Sequence, residues 1–458
     1  MKNLERLFSP RSVAIIGATA HKEKASYTIM KNLISKYKGK LYLINPKYDK
    51  IEGRKAYKTI KDVPDEVDVA VIVVNASISN MVIRECMEKG VKFVIVITAG
   101  YREIGGEGVK RERELIDMIK EHNYKTRVIG PNCLGILDNH SKFDVLFLPE
   151  NKVTKPKKGN ISLIFQSGAL GAALIDRFAD ELIGISRFVS YGNACDLNEI
   201  DFLEYFIEDA QTKVIGVYIE GIRNGRKIYE LFKKSKKPIV VVKGGKTEKG
   251  NKATLTHTGS LAGNYEIFKG MCNQTNAILA NNFRDFENYL KIFSIGKKMT
   301  KKEVLVITNG GGFGVLAADE ISSSKLLSLY ELTSKDIRRV RKYLPEYANI
   351  HNPLDIIGDA DSERYKNVLN AFSDNPKIGA FIVIMLVQTF SLGKEVIDVL
   401  SEYNKVTDKI IVGVVEGGTY ANIFRKMLES KGIIAYSSVY EAVDSLEKLY
   451  RWSVGKKY

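Results

Sequence analysis

Three consecutive doubly wound α/β domains are what this sequence predicts. Short apolar, β-branched runs without a period of two alternate with helical patterns along the 458 residues. That is the pattern of parallel strands buried on both faces. Strands repeatedly end in small or glycine-rich turns that open helices. The cycle begins afresh twice, giving domains at 1–130, 131–297 and 298–458, as expected of a chain too long for one core.

In the first domain, Ser12 to Gly17, Lys40 to Ile44, Asp68 to Val74, Phe93 to Ile97 and Arg127 to Ile129 read as strands. Helical patterns separate them at Ser26 to Tyr37, Ser77 to Lys89 and Glu107 to Glu121. Ligands of such sheets bind at the carboxyl ends of the strands. The loops to follow are therefore Gly17-Ala-Thr19-Ala, Asn45-Pro46-Lys47-Tyr, Asn75-Ala-Ser and Thr98-Ala99-Gly100. A nicotinamide dinucleotide is excluded as the first choice. No glycine follows Gly17 until Gly39, so the glycine fingerprint is missing. The second strand also ends in Asn45-Pro46-Lys47, where an acid for the ribose hydroxyl would stand. A lysine suits a ribose phosphate instead, which points to a 3′-phosphorylated nucleotide such as coenzyme A.

The second domain opens with Gly130-Pro-Asn132-Cys-Leu-Gly-Ile and a long connection to Lys158. The strand Asn160 to Gln166 then meets Ser167-Gly168 and an Ala-rich helix start, whose free N–H groups and dipole suit a phosphate. Further strands are Ile185 to Val189, Val214 to Ile219 and Pro238 to Val242. Glu220 sits at a strand's carboxyl end, where a carboxylate can aim an imidazole by accepting one ring N–H. His257 follows the next strand, among small hydroxyl and glycine residues, so a reachable imidazole in a loop is expected. It has no second metal-ligand type close by, so no metal site is expected here.

The third domain repeats the logic from Glu303 to Thr308 into Asn309-Gly-Gly-Gly-Phe-Gly, with later strands at Gly379 to Met385, Lys409 to Val415 and Ile433 to Tyr436. Glu416-Gly417-Gly418-Thr419 offers another helix N-terminus suited to an anion. The chain carries no Walker-type phosphate loop.

Composition narrows the class. With 45% hydrophobic and 27% charged residues the chain is globular. It has neither a signal-peptide pattern nor an apolar run of membrane length. Its four cysteines, Cys86, Cys133, Cys195 and Cys272, lie far apart and form no Cys-x-x-Cys pair. The expectation is a cytoplasmic protein. The net charge of +16 suits anionic ligands. The lysine runs, however, lack the interleaved aromatics that stack bases, so nucleic acid is not expected.

Taken in order, Ser12-Val-Ala-Ile-Ile-Gly-Ala, Ile97-Thr-Ala-Gly, Ile129-Gly-Pro-Asn-Cys-Leu-Gly-Ile, Gln166-Ser-Gly-Ala-Leu-Gly, Tyr218-Ile-Glu-Gly-Ile-Arg-Asn-Gly, His257-Thr-Gly-Ser-Leu-Ala-Gly and Asn352-Pro-Leu-Asp form a specific set. With them the chain resembles, end to end, the α subunits of ADP-forming acetyl-CoA synthetases, members of the NDP-forming acyl-CoA synthetase superfamily and relatives of succinyl-CoA synthetase. Two departures stand out: Asn75 where relatives tend to have proline, and Thr256 where serine is usual. The resemblance implies an N-terminal Rossmann-like coenzyme A domain followed by two flavodoxin-like domains. It implies coenzyme A contacts at Gly17, Thr19, Pro46, Lys47, Asn75, Thr98, Ala99, Gly100 and Asn132. It also implies a transient phosphohistidine at His257, oriented by Glu220, with phosphate held at Ser167-Gly168 and Gly417-Gly418. Acyl-CoA, phosphate and ADP would yield a small carboxylic acid, coenzyme A and ATP. Mg²⁺ and the nucleotide would be handled mainly by an ATP-grasp β subunit in an α2β2 assembly, since no segment here is left over for that module. The competing reading is a non-catalytic coenzyme A sensor or scaffold. Loss of His257, Glu220 or the Ser-Gly turn would favour it, and all three are present.

Overall fold

A computed structural model describes residues 4–258 and 263–455, with only the backbone described for 255–258. It divides into two compact units, Met1–Asn281 and Asn282–Tyr458. Three sheets carry the fold, two in the first unit and one in the second.

The first sheet contains β1 (Ser12–Ile16), β2 (Lys40–Ile44), β3 (Lys50–Ile51), β4 (Arg54–Tyr57), β5 (Val69–Ile72), β6 (Phe93–Val96) and β7 (Arg127–Ile129), in the order β3-β4-β2-β1-β5-β6-β7. All pairings are parallel except the β3–β4 edge hairpin. The strand order reverses direction at β1, the place where a doubly wound sheet opens a crevice. The central strands β1, β5 and β6 are buried along their whole length, which explains their lack of alternation.

The second sheet contains β8 (Gly135–Asp138), β9 (Phe143–Asp144), β10 (Lys158–Phe165), β11 (Ile185–Ser190), β12 (Val214–Ile219), β13 (Ile239–Lys243) and β14 (Ala277–Leu279), in the order β14-β13-β12-β10-β11-β8-β9. Its parallel part has the flavodoxin order, with β10 as the first strand between β11 and β12. The long connection expected before Lys158 in fact holds β8 and β9, which extend the sheet in antiparallel fashion. One apolar cluster runs from the first sheet into the second, joining Leu7, Phe8 and Val13 to Phe202, Phe206 and Val217. The interface between these two sheets is thus built like a domain interior.

The second unit's sheet contains β15 (Glu303–Thr308), β16 (Ser328–Leu329), β17 (Leu354–Asp355), β18 (Ile378–Ile384), β19 (Ile410–Val414) and β20 (Ile434–Tyr436). Its path is β16-β15-β18-β19-β20, all parallel, with β17 also paired to β15. This is the flavodoxin order again. Helix Phe283–Ser294 belongs to this unit and packs against helix Val439–Val454. Among the described residues no helix is long and apolar enough to cross a membrane.

Candidate active site

The carboxyl ends of β2, β1, β5 and β6 form one continuous rim. Gly17, at φ +92°, ends β1; a Cβ there would lie 2.2 Å from the Val73 carbonyl oxygen, so the loops after β1 and β5 touch through a position only glycine can fill. Asn45 Nδ2 donates to Ala18 O at 2.7 Å, tying the β2 loop to the β1 loop. The Asn45 side chain also accepts from Lys47 N at 2.9 Å, which turns Pro46 and Lys47 outward into solvent. Thr19 is buried, and its hydroxyl accepts from His21 N. Asn75 is exposed at the N-cap of helix Ala76–Glu88 and makes no capping hydrogen bond. Thr98 Oγ1 donates to Val74 O at 2.9 Å, and Asn132, at φ +58°, donates its N–H to Thr98 O at 3.0 Å. Ala99 is exposed beside them.

From Asn132 the rim passes directly to the second sheet. A Cβ on Gly168 would sit 3.1 Å from Leu134 Cβ, and one on Gly192 2.3 Å from Pro131 O. Ser167 caps the thirteen-residue helix Gly168–Asp180, its side chain accepting from Leu170 N. Gln166, just before it, is buried; its Oε1 accepts from Glu220 N at 2.8 Å and Gly221 N at 3.1 Å. The Ser167 turn and the Glu220 loop are therefore laced together by one side chain.

Glu220 is buried at the end of β12, and Tyr218 donates its hydroxyl to Glu220 Oε1 at 3.0 Å. Burial and the neighbouring carboxylate raise the Tyr218 phenol, so it remains a donor. At the end of the adjacent β13, Lys243 is also buried; Nζ donates to Glu220 O at 2.6 Å and Gly244 O at 2.8 Å. Burial pushes the Lys243 ammonium down to about 8, with Glu220 acting in the opposite sense. Gly244 leaves room for this arrangement, since a Cβ there would stand 3.0 Å from Tyr218 Oη and 3.3 Å from Glu220 Cγ.

The next element after β13 is helix Glu248–Thr258, whose backbone includes His257. Sequence reading expects a loop here, from the small hydroxyl and glycine residues around His257; the backbone is helical up to Thr258. The His257 side chain lies outside the described residues. The helix packs against the 3₁₀ turn Arg102–Ile104, which directly follows the Thr98–Gly100 loop.

In the second unit, Gly417, at φ +140°, and Gly418 follow β19 and open the twelve-residue helix Thr419–Ser430, with Gly418 at the N-cap and no side-chain cap. Both glycines are exposed. Among the described residues no group of three His, Cys, Asp or Glu side chains is placed to hold a metal ion.

Known proteins show the same plan. Residues 11–139 match the CoA binding domain family, 158–293 the succinyl-CoA ligase like flavodoxin domain and 304–458 the Ligase-CoA domain. The α subunit of Pyrococcus furiosus acetate–CoA ligase [ADP-forming] II is 38% identical over 442 residues, 94% of each chain. The chain belongs to the ADP-forming acetate–CoA ligase α-subunit family. A Methanocaldococcus jannaschii acetate–CoA ligase [ADP-forming] is 40% identical over 99% of this chain but only 64% of its own length. Among solved structures, Ca. Korarchaeum cryptofilum acetyl-coenzyme A synthetase 1 in complex with phosphate and ADP superposes with a TM-score of 0.89, at 35% identity over 99% of this chain and 97% of that one.

Within this ligase family frame, the first unit gathers Gly17, Thr19, Thr98, Gly100, Asn132, Ser167, Gly168 and Glu220 along connected loops. Pro46, Lys47 and Asn75 stand on the outer, exposed part of the same rim. Gly417 and Gly418 lie in the second unit. Sequence reading missed Gln166, Tyr218 and Lys243 as site residues. Two of the three carried a signal: Lys243 is a lone charge closing the run Ile239-Val-Val-Val, and Gln166 is a lone amide between an apolar strand and the Ser-Gly turn.

Proposed function

We propose that this chain is the α subunit of an ADP-forming acyl-CoA ligase with acetyl-CoA as substrate, working through an acyl phosphate and a phosphohistidine at His257. The observation that carries the reading is the buried Glu220 at the end of β12, its carboxylate held by Tyr218 and its main chain by Gln166, beside the strand that leads to the His257 helix. A carboxylate held so firmly can orient an imidazole and stabilise its charged form.

The reaction balances as follows. A phosphate oxygen attacks the thioester carbonyl; the C–S bond breaks and coenzyme A leaves as thiolate, giving the acyl phosphate. A His257 ring nitrogen then attacks phosphorus, the P–O bond to the acyl group breaks, and the carboxylate departs. Finally an ADP oxygen takes the phosphoryl group from nitrogen, yielding ATP. In this scheme Gly17, Thr19, Pro46, Lys47, Asn75, Thr98 to Gly100 and Asn132 serve coenzyme A. Ser167-Gly168 and Gly417-Gly418 serve the phosphate through open helix N-termini. Catalysis rests on position and on charge stabilisation rather than on a protein acid or base.

The matched domains at 11–139, 158–293 and 304–458 take up most of the given residues, and we place the nucleotide on a separate module. About a third of the Methanocaldococcus jannaschii relative's own length lies outside the match, which supports a partner supplying that part here. We assign that part to an ATP-grasp β subunit in an α2β2 assembly, with Mg²⁺ arriving with the nucleotide. The cytoplasm is the proposed compartment. The test is ATP formation from acetyl-CoA, ADP and phosphate by the chain with its β subunit, beside Glu220→Gln. A rate unchanged by the substitution would remove Glu220 from the scheme, and no ATP from the wild type would favour the sensor.

A further inference from the structure

Asn193, at the tip of the loop after β11, is buried and uses its polar groups in four directions. Its carboxamide Nδ2 donates to Glu103 Oε2 at 2.7 Å and to Glu112 Oε2 at 2.8 Å, both in the coenzyme A domain. Its main-chain carbonyl oxygen accepts from Arg102 Nη2 on the same side and from Arg223 Nη2, at 3.4 Å, on the Glu220 loop. Its own N–H donates to Pro131 O at 2.9 Å.

The groups that Asn193 holds in turn hold the proposed site. Glu103 Oε1 accepts from Gly100 N at 2.5 Å and Tyr101 N at 3.1 Å, so it fixes the Thr98–Gly100 loop. Burial works to raise the Glu103 carboxyl, but hydrogen bonds from Asn193 and these amides outweigh it and hold it below the usual range. Glu112 pairs with Arg102 Nη1 at 3.3 Å, and burial raises its carboxyl above the usual range. Helix Glu248–Thr258 packs on the turn that contains Arg102 and Glu103. Buried polar networks of this kind rigidify the elements they join, although Arg102 Nε has no hydrogen-bond partner here.

We infer that Asn193 is a positioning residue that couples the coenzyme A loop to the phosphorylation site, holding Gly100 and the Glu220 loop at the spacing over which the acyl phosphate passes to His257. The inference rests on the phosphohistidine reaction proposed above and adds to it the device that aligns its two halves. Nothing in the chemistry of Asn193 itself is used. Its two side-chain donors bridge carboxylates on one side, and its main-chain carbonyl gathers two guanidinium groups from opposite sides.

The test separates the half-reactions. The full chain receives label either from acetyl-CoA with labelled phosphate, which needs the coenzyme A loop, or from labelled acetyl phosphate, which bypasses it. Asn193→Asp sets a third carboxylate against Glu103 and Glu112. It is expected to lower labelling from acetyl-CoA by about a hundredfold, the cost of an ångström-scale misplacement, while labelling from acetyl phosphate stays within about twofold. Adding Glu112→Gln, which restores an amide–carboxylate pair with the roles exchanged, is expected to recover most of the loss. Equal losses with both donors would mean a merely structural role and overturn the inference, as would labelling from acetyl-CoA that does not change. A wild-type chain unlabelled by either donor would instead sink the phosphohistidine reading, and this inference with it.

Discussion

Replacing Gln166 with methionine keeps the side chain's length and removes its acceptor. In the structure that one oxygen receives Glu220 N at 2.8 Å and Gly221 N at 3.1 Å, all in a buried setting. Each orphaned N–H costs about 1–3 kcal/mol. The substitution should therefore destabilise the folded loop by about 2–6 kcal/mol, less whatever rearrangement recovers. Against a domain stability of about 5–15 kcal/mol such a loss is a large fraction, and the strand end that presents Glu220 does not keep its geometry. Urea unfolding followed by circular dichroism should show the destabilisation, and labelling of His257 from acetyl phosphate should fall with it. A Gln166→Met chain within about 0.5 kcal/mol of wild type, and labelled at the same rate, would refute the argument that these two hydrogen bonds set the Glu220 loop.

Further predictions concern the rim, the half-buried Glu441 and the buried Glu199. Gly17→Ala places a methyl group 2.2 Å from Val73 O at a positive φ; coenzyme A binding by calorimetry should weaken by about tenfold or more, and unchanged affinity would contradict the glycine's role. Arg284 Nε lies 2.7 Å from Glu441 in the second unit. Burial opposes ionisation of Glu441, yet hydrogen bonds from Arg284 and Ser437 hold its carboxyl at about 2. That depressed value gives stability present above the unfolded carboxylate range and lost as pH falls from about 4 toward 2, about 3 kcal/mol in all. The lone Trp452, packed on Phe293, reports it by fluorescence, and Glu441→Gln should flatten this acid limb. Glu199 behaves oppositely. Its Oε1 has no hydrogen-bond partner, and burial raises its carboxyl to about 7, so stability falls as pH rises from about 4 to 7. Glu199→Gln should stabilise the chain by about 3 kcal/mol at pH 8 and by nothing at about pH 4; a pH-independent difference would exclude the titration.

The three sheets were legible because their central strands are buried on both faces and written as unbroken apolar runs. The expected helices Ser26 to Tyr37, Ser77 to Lys89 and Glu107 to Glu121 each lie within a residue of those observed. Strands β8 and β9 were not legible: they are four and two residues long and paired at an edge, where register comes from the neighbouring strand rather than from local pattern. The helix through His257 was hidden for a similar reason, since Lys252-Ala-Thr-Leu-Thr-His-Thr carries no apolar face to announce it. At the site, glycines and the Ser-Gly turn were visible as types that do particular things. Asn193 was not, because its importance lies in partners 81 and 90 residues away. Lys243 and Gln166 broke their apolar surroundings and could have been suspected, but only the fold shows that both reach the Glu220 main chain.

The account turns on phosphate reaching His257. The most direct measurement incubates the purified chain with acetyl-CoA, Mg²⁺ and labelled phosphate, with and without an ATP-grasp partner, beside His257→Ala. The account predicts a label that is labile in acid, stable in base, and lost in the substituted chain. Coenzyme A binding with no label under either condition would contradict it and leave a coenzyme A sensor.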